Sequence, residues 1–336
     1  MSVDPRAPVP LPAWSLALQG PEYRLLLPAL ARLPDAVAYA LARARGRFNA
    51  RHDRDWVSLG LRHRHVAGLV ETGCALLVPP GRVGETVRER FETVAREEME
   101  ARALASRGLE HFDIDAQAAL AALAARPTGR GIVLVTAHFE TFVLGIAALA
   151  RQGERIHPVM SSVTADPRLH PAVRAHFERK YAGLQRHLNG GELAPAEQSM
   201  RHFYRALGRG EAVVVLADAP APAGSPPICV PWFGSRRALA QGAMRLAERS
   251  GSLLAAFACH WLSGRRHSVH LSTVVDPRSL GTQACADHCF AFLEAHIRER
   301  PGRWWGSHLL PACPPCDPCD GEAAGPDRDG ATAAAA

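Results

Sequence analysis

The chain predicts an α/β fold, a mixed and mainly parallel sheet flanked by helices, behind an N-terminal helical segment. Three observations carry this. Over residues 23–105, apolar side chains recur at helical spacing. From Gly131 onward, short apolar runs alternate with helical patterns, the texture of a sheet with helices on its faces. Two of those runs, Gly131-Ile-Val-Leu-Val-Thr-Ala-His138 and Glu211-Ala-Val-Val-Val-Leu-Ala-Asp218, are apolar almost throughout and end in an ionisable side chain.

Taken in order, residues 1–22 are rich in Pro and predict an irregular lead. Leu25, Leu26, Leu30, Val37 and Leu41 set a helical stripe over 23–51, broken where Pro28 and Pro34 interrupt it. Arg24, Arg32, Arg43, Arg45 and Arg47 punctuate that stretch. It reads either as a membrane-surface helix or as one that packs a single face on the core. Helices over 56–77 and 85–105 follow, the second laced with charges at i,i+4. Next come a strand over 131–137, a helix over 143–151, a strand over 156–161 and helices over 171–182 and 197–208. A strand over 212–217, a helix over 237–249, strands over 253–260 and 267–275, and a helix over 285–298 close the series. The expectation is one domain over 23–312, helical to 125 and α/β from 126, then a disordered Cys/Pro/Ala tail over 313–336.

Composition narrows the function. With 336 residues, 47% of them hydrophobic, the chain has material for a large core. The net charge of +6 rests on arginine, since Lys180 is the only lysine among 39 basic residues. With Ala-rich runs such as Ala-Leu-Ala-Ala-Leu-Ala-Ala, this is the signature of GC-rich coding, so the basic balance does not argue for nucleic acid. No basic block is interleaved with aromatics and no nucleic-acid-reading motif occurs. No run of 18 apolar residues predicts a membrane span. Asp4 and Arg6, ahead of a Pro-rich stretch, predict no signal peptide, and hence a reducing compartment without disulfides. Cys313-Pro-Pro-Cys316-Asp-Pro-Cys319 has the spacing of a metal knot, to be completed by Cys285, Cys289 or His308. Its place at the head of a low-complexity tail weighs against that, and no metal is expected.

His138 stands where a general base is useful, at the tip of a buried strand and just before a helix whose free N–H groups favour negative charge. A capping role is the plain alternative. Asp218 ends the second run at the same rim if the two strands are parallel, or is a turn residue before Pro. Further on, Val230-Pro-Trp232-Phe233-Gly234-Ser-Arg236-Arg237 sets two arginines behind an aromatic pair at an expected helix start, suited to an anionic head group.

The order of these pieces resembles the bacterial lipid A late acyltransferases of lauroyl-acyltransferase type, within the wider lysophospholipid acyltransferase group. Carrying the resemblance are Val135-Thr-Ala-His138-Phe-Glu-Thr-Phe-Val-Leu-Gly145, Leu207-Gly-Arg-Gly-Glu-Ala-Val-Val-Val-Leu-Ala-Asp218 and Val230-Pro-Trp-Phe-Gly234. Arg88-Glu-Arg-Phe-Glu-Thr-Val94, Arg245-Leu-Ala-Glu-Arg-Ser-Gly251 and Arg300-Pro-Gly-Arg-Trp-Trp-Gly-Ser-His308 fit as well. The resemblance spans residues 25–310. It implies a glycerolipid acyltransferase-like fold and transfer of an acyl chain from acyl carrier protein or acyl-coenzyme A to a hydroxyl or amine of a lipid or glycolipid. It also implies His138 as base, no cofactor, and a peripheral place on the cytoplasmic face of the inner membrane, or else in the cytoplasm. Phe139, Phe142, Leu144 and the Trp232-Phe233 loop would line the acyl tunnel. The family pattern is His-x-x-x-x-Asp/Glu, and here the fifth position after His138 is Val143. Glu140 is one substitute for the missing carboxylate and Asp218 another. A protein of this fold that binds acyl chains or a carrier protein without catalysis is the alternative.

Overall fold

The computed structural model describes residues 8–316 except 152, 161, 163 and 165. Among them are nine strands: β1 (Asp113–Asp115), β2 (Ile132–Thr136), β3 (Ile156–Met160), β4 (Ala194–Pro195), β5 (Ala212–Leu216), β6 (Pro227–Trp232), β7 (Ser235–Ala240), β8 (Leu253–Ser263) and β9 (Arg266–Leu271). Seven join in the order β1-β9-β8-β2-β5-β3-β4, while β6 and β7 form a separate hairpin. Neighbours in the large sheet run parallel except β8 and β9. The fold is thus α/β with a mixed, mainly parallel sheet behind a helical N-terminal segment, the class expected from sequence.

Strand β2 is buried along its whole length, and its side chains divide by parity. Ile132 and Leu134 join a layer with Leu104, Leu120, Ile146 and Phe257. Val133 and Val135 join the opposite layer with Phe203, Met244, Leu254 and Phe290. Helix Phe142–Leu149, every residue of it buried, contributes to the first layer. Helices Ala196–Gly208, Gly242–Ser250 and Thr282–Glu299 contribute to the second. A continuous apolar run is what a strand covered on both faces requires. Each fully buried Leu, Ile or Phe is worth about 1.5–3 kcal/mol, so these layers pin the register of β2.

In the N-terminal segment, helix Asp35–His52 packs along Val83–Arg107. The arginine stripe divides by face. Arg45 turns inward, paired with Glu22 and Glu98 at 2.6 Å each. Arg54 meets Glu22, and Arg90 meets Asp55 at 2.7 Å. Arg43 and Arg47 stay more than half exposed. Isolated, such buried charges would be costly, and here each has its counter-charge.

Several expectations are corrected. The lead is helical from Ala13, with Ala13–Ala17 and Gln19–Pro21 ahead of a π-turn at Glu22–Leu26. The helix over 56–77 is two, Trp56–Leu61 and Val66–Ala75, split at Arg62, whose φ of 63° ends the first. The helix over 237–249 begins only at Gly242, because Ser235–Ala240 is strand β7. Phe233 and Gly234 both take positive φ (55° and 84°), the two-residue turn that joins twisted antiparallel strands. The tail docks before it leaves the described residues. The Ala238 N–H donates to Pro314 O at 2.9 Å and the Cys316 N–H to Arg236 O at 3.2 Å, extending the hairpin at its open edge. Cys229 and Cys316 form a disulfide, against the expectation of none. Cys319 and the rest of the tail, residues 317–336, lie outside the described residues.

Candidate active site

Strands β2 and β5 lie side by side and parallel, Ile132 opposite Ala212 and Thr136 opposite Leu216. One alanine follows each strand, and the Ala217 N–H continues the ladder to Thr136 O at 2.8 Å. The next residues, His138 and Asp218, therefore leave the sheet together at its carboxyl rim. The Phe139 N–H donates to Ala137 O at 2.7 Å, a turn of i to i+2 type that swings the His138 ring out of the strand direction.

Asp218 Oδ1 lies 2.8 Å from His138 Nδ1. Its Oδ2 accepts the His138 backbone N–H at 2.8 Å and the Trp304 indole N–H at 2.7 Å. Asp218 is fully buried, whereas the His138 side chain is 24% exposed, so the pair opens outward through the ring. Burial alone would raise the Asp218 pKa. The facing imidazole and the three hydrogen bonds outweigh it and hold the carboxyl below its ordinary value. An ionised Asp218 accepts only, so Nδ1 carries the proton and Nε2 presents its lone pair.

The segment after Pro301 closes over this pair. The Trp305 and Gly306 N–H groups donate to His138 O at 2.9 and 3.3 Å, and Trp304, fully buried, bridges to Phe139. Gly306 has no room for a side chain. An added Cβ would stand 2.6 Å from Asp218 Oδ2 and 2.7 Å from Trp304 Nε1. The His138 ring rests edge-on against Trp305 at 4.7 Å and Phe142 at 6.0 Å. Beyond these two rings lies Lys180, its ammonium 5.4 Å from the Phe142 centroid, 5.9 Å from that of Trp305 and paired with Glu97.

Glu140 does not meet His138. Its backbone takes a φ of 46°. The buried carboxylate accepts from Arg96 Nη2 and the Trp261 N–H at 2.9 Å each and from Arg303 Nη1 at 3.2 Å, with His260 Nδ1 3.6 Å away. Burial would raise its pKa, but His260, Arg96, Arg303 and the Trp261 N–H hold it below the usual carboxylate value. Glu140 ties the Val83–Arg107 helix, the end of β8 and the segment of Arg303 together beneath the rim.

The other expected residues part ways. Val143 sits inside the apolar layer of Leu134 and Ile146, and Leu144 is fully buried there. Phe139 and Trp232 are core residues, packed edge-on against His260 and Trp304, and leave Phe142 alone of the expected tunnel wall beside the ring. Arg236 donates to Cys229 O within the hairpin and lies 3.4 Å from Asp287, while Arg237 donates to Cys313 O of the tail, so the structure engages both guanidinium groups with protein oxygens away from His138. Cys316, bonded to Cys229, is no free thiolate for a metal knot with Cys313, and among the described residues no three His, Cys, Asp or Glu side chains gather in such a site. Trp304, Trp305, Gly306 and Lys180 had no assigned place at the rim. The Trp-Trp-Gly run after Pro301 was the one sequence signal for the first three, and for Lys180 only its being the single lysine.

A family model described as bacterial lipid A biosynthesis acyltransferase matches residues 84–308, which take in both rim residues and the closing segment. No curated protein matches the chain.

Proposed function

Because the chain belongs to the bacterial lipid A biosynthesis acyltransferase family, we propose that it transfers a fatty acyl chain from a thioester to a hydroxyl or amine of a lipid-like acceptor, with His138 as base and Asp218 as the carboxylate that orients it. The observation behind this reading is the 2.8 Å pairing of His138 Nδ1 with a buried, ionised Asp218, which leaves Nε2 as the proton acceptor. Nε2 takes the acceptor proton as that oxygen or nitrogen attacks the thioester carbon. The first-turn N–H groups of the helix beginning at Phe142 steady the tetrahedral oxyanion. As the carbon–sulfur bond breaks, the imidazolium returns its proton to the departing thiolate, and Asp218 stabilises the cation in between. Acyl carrier protein and coenzyme A both supply such a thioester.

Replacing His138 with Ala is expected to lower acyl transfer per folded molecule by about 10²–10⁴-fold, with some loss of stability because buried Asp218 loses its imidazole partner. Undiminished transfer would return His138 to a structural role, and no transfer by the native protein would favour the acyl-binding alternative.

The lipid-like acceptor is supported by the N-terminal face. Leu18, Leu25, Leu26, Leu41 and Phe48 border an open apolar groove of about 660 Å³, with Leu25 69% exposed. Arg43 and Arg47, on the same helix as Leu41 and Phe48, share the single counter-charge of Glu92 and keep more than half of each side chain exposed. No helix among the described residues is long and apolar enough to cross a membrane, so the contact proposed is with the surface of an anionic bilayer.

A further inference from the structure

The disulfide between Cys229 and Cys316 closes a short covalent circuit beside the reaction centre. Cys229 lies on β6, three residues before Trp232, and Trp232 and Phe233 pack on Trp304 with ring centroids 5.8 and 5.1 Å away. From Trp304 the chain runs twelve residues, through the 3₁₀ turns of Trp305–Ala312, to Cys316. The bond therefore ties the two sides of the Trp304 contact to one another. Trp304 in turn donates its indole N–H to Asp218 Oδ2 at 2.7 Å. At the end of β7, the Ala240 N–H donates to Ala219 O, next to Asp218, at 3.0 Å. Hairpin and closing segment thus support the carboxylate paired with His138 from two sides.

Apart from this bond, the far end of the segment is lightly held. Pro314 and Pro315 are exposed and Cys316 is half-buried. Beyond the Arg237 contact with Cys313 O, two backbone hydrogen bonds attach it, Ala238 N–H to Pro314 O and Cys316 N–H to Arg236 O. A chain end held by so little frays, whereas a cross-link that closes a loop of 87 residues keeps it seated. The neighbouring thiol does not compete for the bond. Cys313 is buried with its thiol directed to Leu309 O at 3.5 Å. Burial first, and then the Asp218 charge, push its pKa up to about 12, so it supplies no thiolate to attack Cys316. Cys229 is buried as well, which leaves Cys316 as the sulfur that an outside thiol meets.

We propose that Cys229 and Cys316 form a reversible thiol–disulfide site whose state sets the rate at the His138–Asp218 centre. Oxidised, the site clamps the closing segment over the pair. Reduced, it frees the segment, and Trp304 loses its fixed place against Asp218. The reductant is a dithiol. One of its thiolates attacks Cys316 Sγ, the bond to Cys229 breaks, and Cys229 leaves as a thiolate that takes a proton from solvent. The second thiol then displaces Cys316, so the dithiol becomes a disulfide, and two electrons and two protons pass to the protein. In the reducing compartment expected from the sequence, disulfides are typically transient and redox-sensing. This inference rests on the acyl-transfer reading and adds its regulation.

The test uses the full chain in three forms: oxidised, reduced by a phosphine that spares the thioester donor, and reoxidised. Peptide mapping without reductant identifies the pairing, and melting curves verify that each form is folded at the assay temperature. Reduction is expected to lower kcat about 10- to 100-fold, the cost of a reacting pair displaced by up to about 1 Å, and reoxidation to restore it. Cys316→Ser is expected to stay at the low rate and to ignore the reductant. The ¹⁵N–H signal of the Trp304 indole, assigned with Trp304→Phe, is expected to shift with the same redox change, which stabilisation of the fold alone does not cause. A bond mapped from Cys229 to another cysteine, or an active protein whose rate or indole signal ignores reduction, would overturn the proposal. A protein that transfers no acyl chain while its Trp304 signal follows the redox state would uphold the clamp and defeat the acyl-transfer reading, so the two failures are told apart.

Discussion

Two buried carboxylates flank His138, and they differ in what they leave free. Asp218 meets one imidazole nitrogen, one backbone N–H and one indole N–H, and the second ring nitrogen remains available. Glu140, only two residues along the chain, is enclosed by Arg96, Arg303, His260 and the Trp261 N–H, with none of its partners able to reach substrate through it. The lesson is that closeness in sequence is a poor guide to partnership at a strand end. Parallel register carries Asp218 across 80 residues to His138, while the positive φ at Glu140 accompanies a carboxylate turned to the opposite side.

The comparison breaks most sharply at Asp218. Asp218→Asn keeps the shape but loses the charge that selects the tautomer, so acyl transfer is expected to fall about 10²–10⁴-fold in a folded protein. Glu140→Gln is expected to act on stability instead. Leaving Arg96 and Arg303 without their counter-charge should cost about 3–5 kcal/mol in denaturant unfolding, while the fraction still folded transfers acyl chains at near-native rate. A rate loss in folded Glu140→Gln as large as that of Asp218→Asn would erase the distinction.

Gly306→Ala probes the same rim from above. A methyl group 2.6 Å from Asp218 Oδ2 must displace the pair, and a shift of the order of 1 Å is expected to lower the rate about 10²-fold. Val143 sharpens the comparison from the other direction. Val143→Ala removes two buried methyl groups and should cost about 2 kcal/mol of stability with no change in rate per folded molecule.

The pH dependence of stability follows from the same two groups. Asp218 and Glu140 have folded pKa values below their ordinary 3.8 and 4.5. Their contribution is fully present above those ordinary values and is lost as pH falls through the lower folded ones. Acid unfolding of the native protein should therefore steepen below about pH 4.5, the unfolded glutamate value, and Glu140→Gln should flatten that limb.

Much of this architecture can be read in advance, and the gaps have physical causes. β2 and β5 were legible because strands covered on both faces need unbroken apolar runs, and each run reaches its ionisable residue after the same number of positions. Their adjacency was not legible, since among the described residues three helices and two strands intervene and register is set by tertiary packing. Arg237-Ala-Leu-Ala reads as helix by propensity, yet the turn at Phe233-Gly234 makes it a strand. Pro314-Pro315 looks like the start of a structureless tail, but extended Pro-rich backbone suits a hairpin edge. Trp304 and Gly306 close over His138, which lies more than 160 residues earlier, a distance no local pattern bridges.

The central claim, that Asp218 and not Glu140 orients His138, is tested most directly by the tautomer of the His138 ring. Long-range proton–nitrogen correlation spectra of ¹⁵N-histidine-labelled protein, at a pH where the ring is neutral and with His138→Gln to assign the signal, report which nitrogen carries the proton. The prediction is a proton on Nδ1 in the native protein and in Glu140→Gln, and a shift of that proton to Nε2 in Asp218→Asn. A native ring protonated on Nε2, or a tautomer that changes with Glu140→Gln and not with Asp218→Asn, would contradict it.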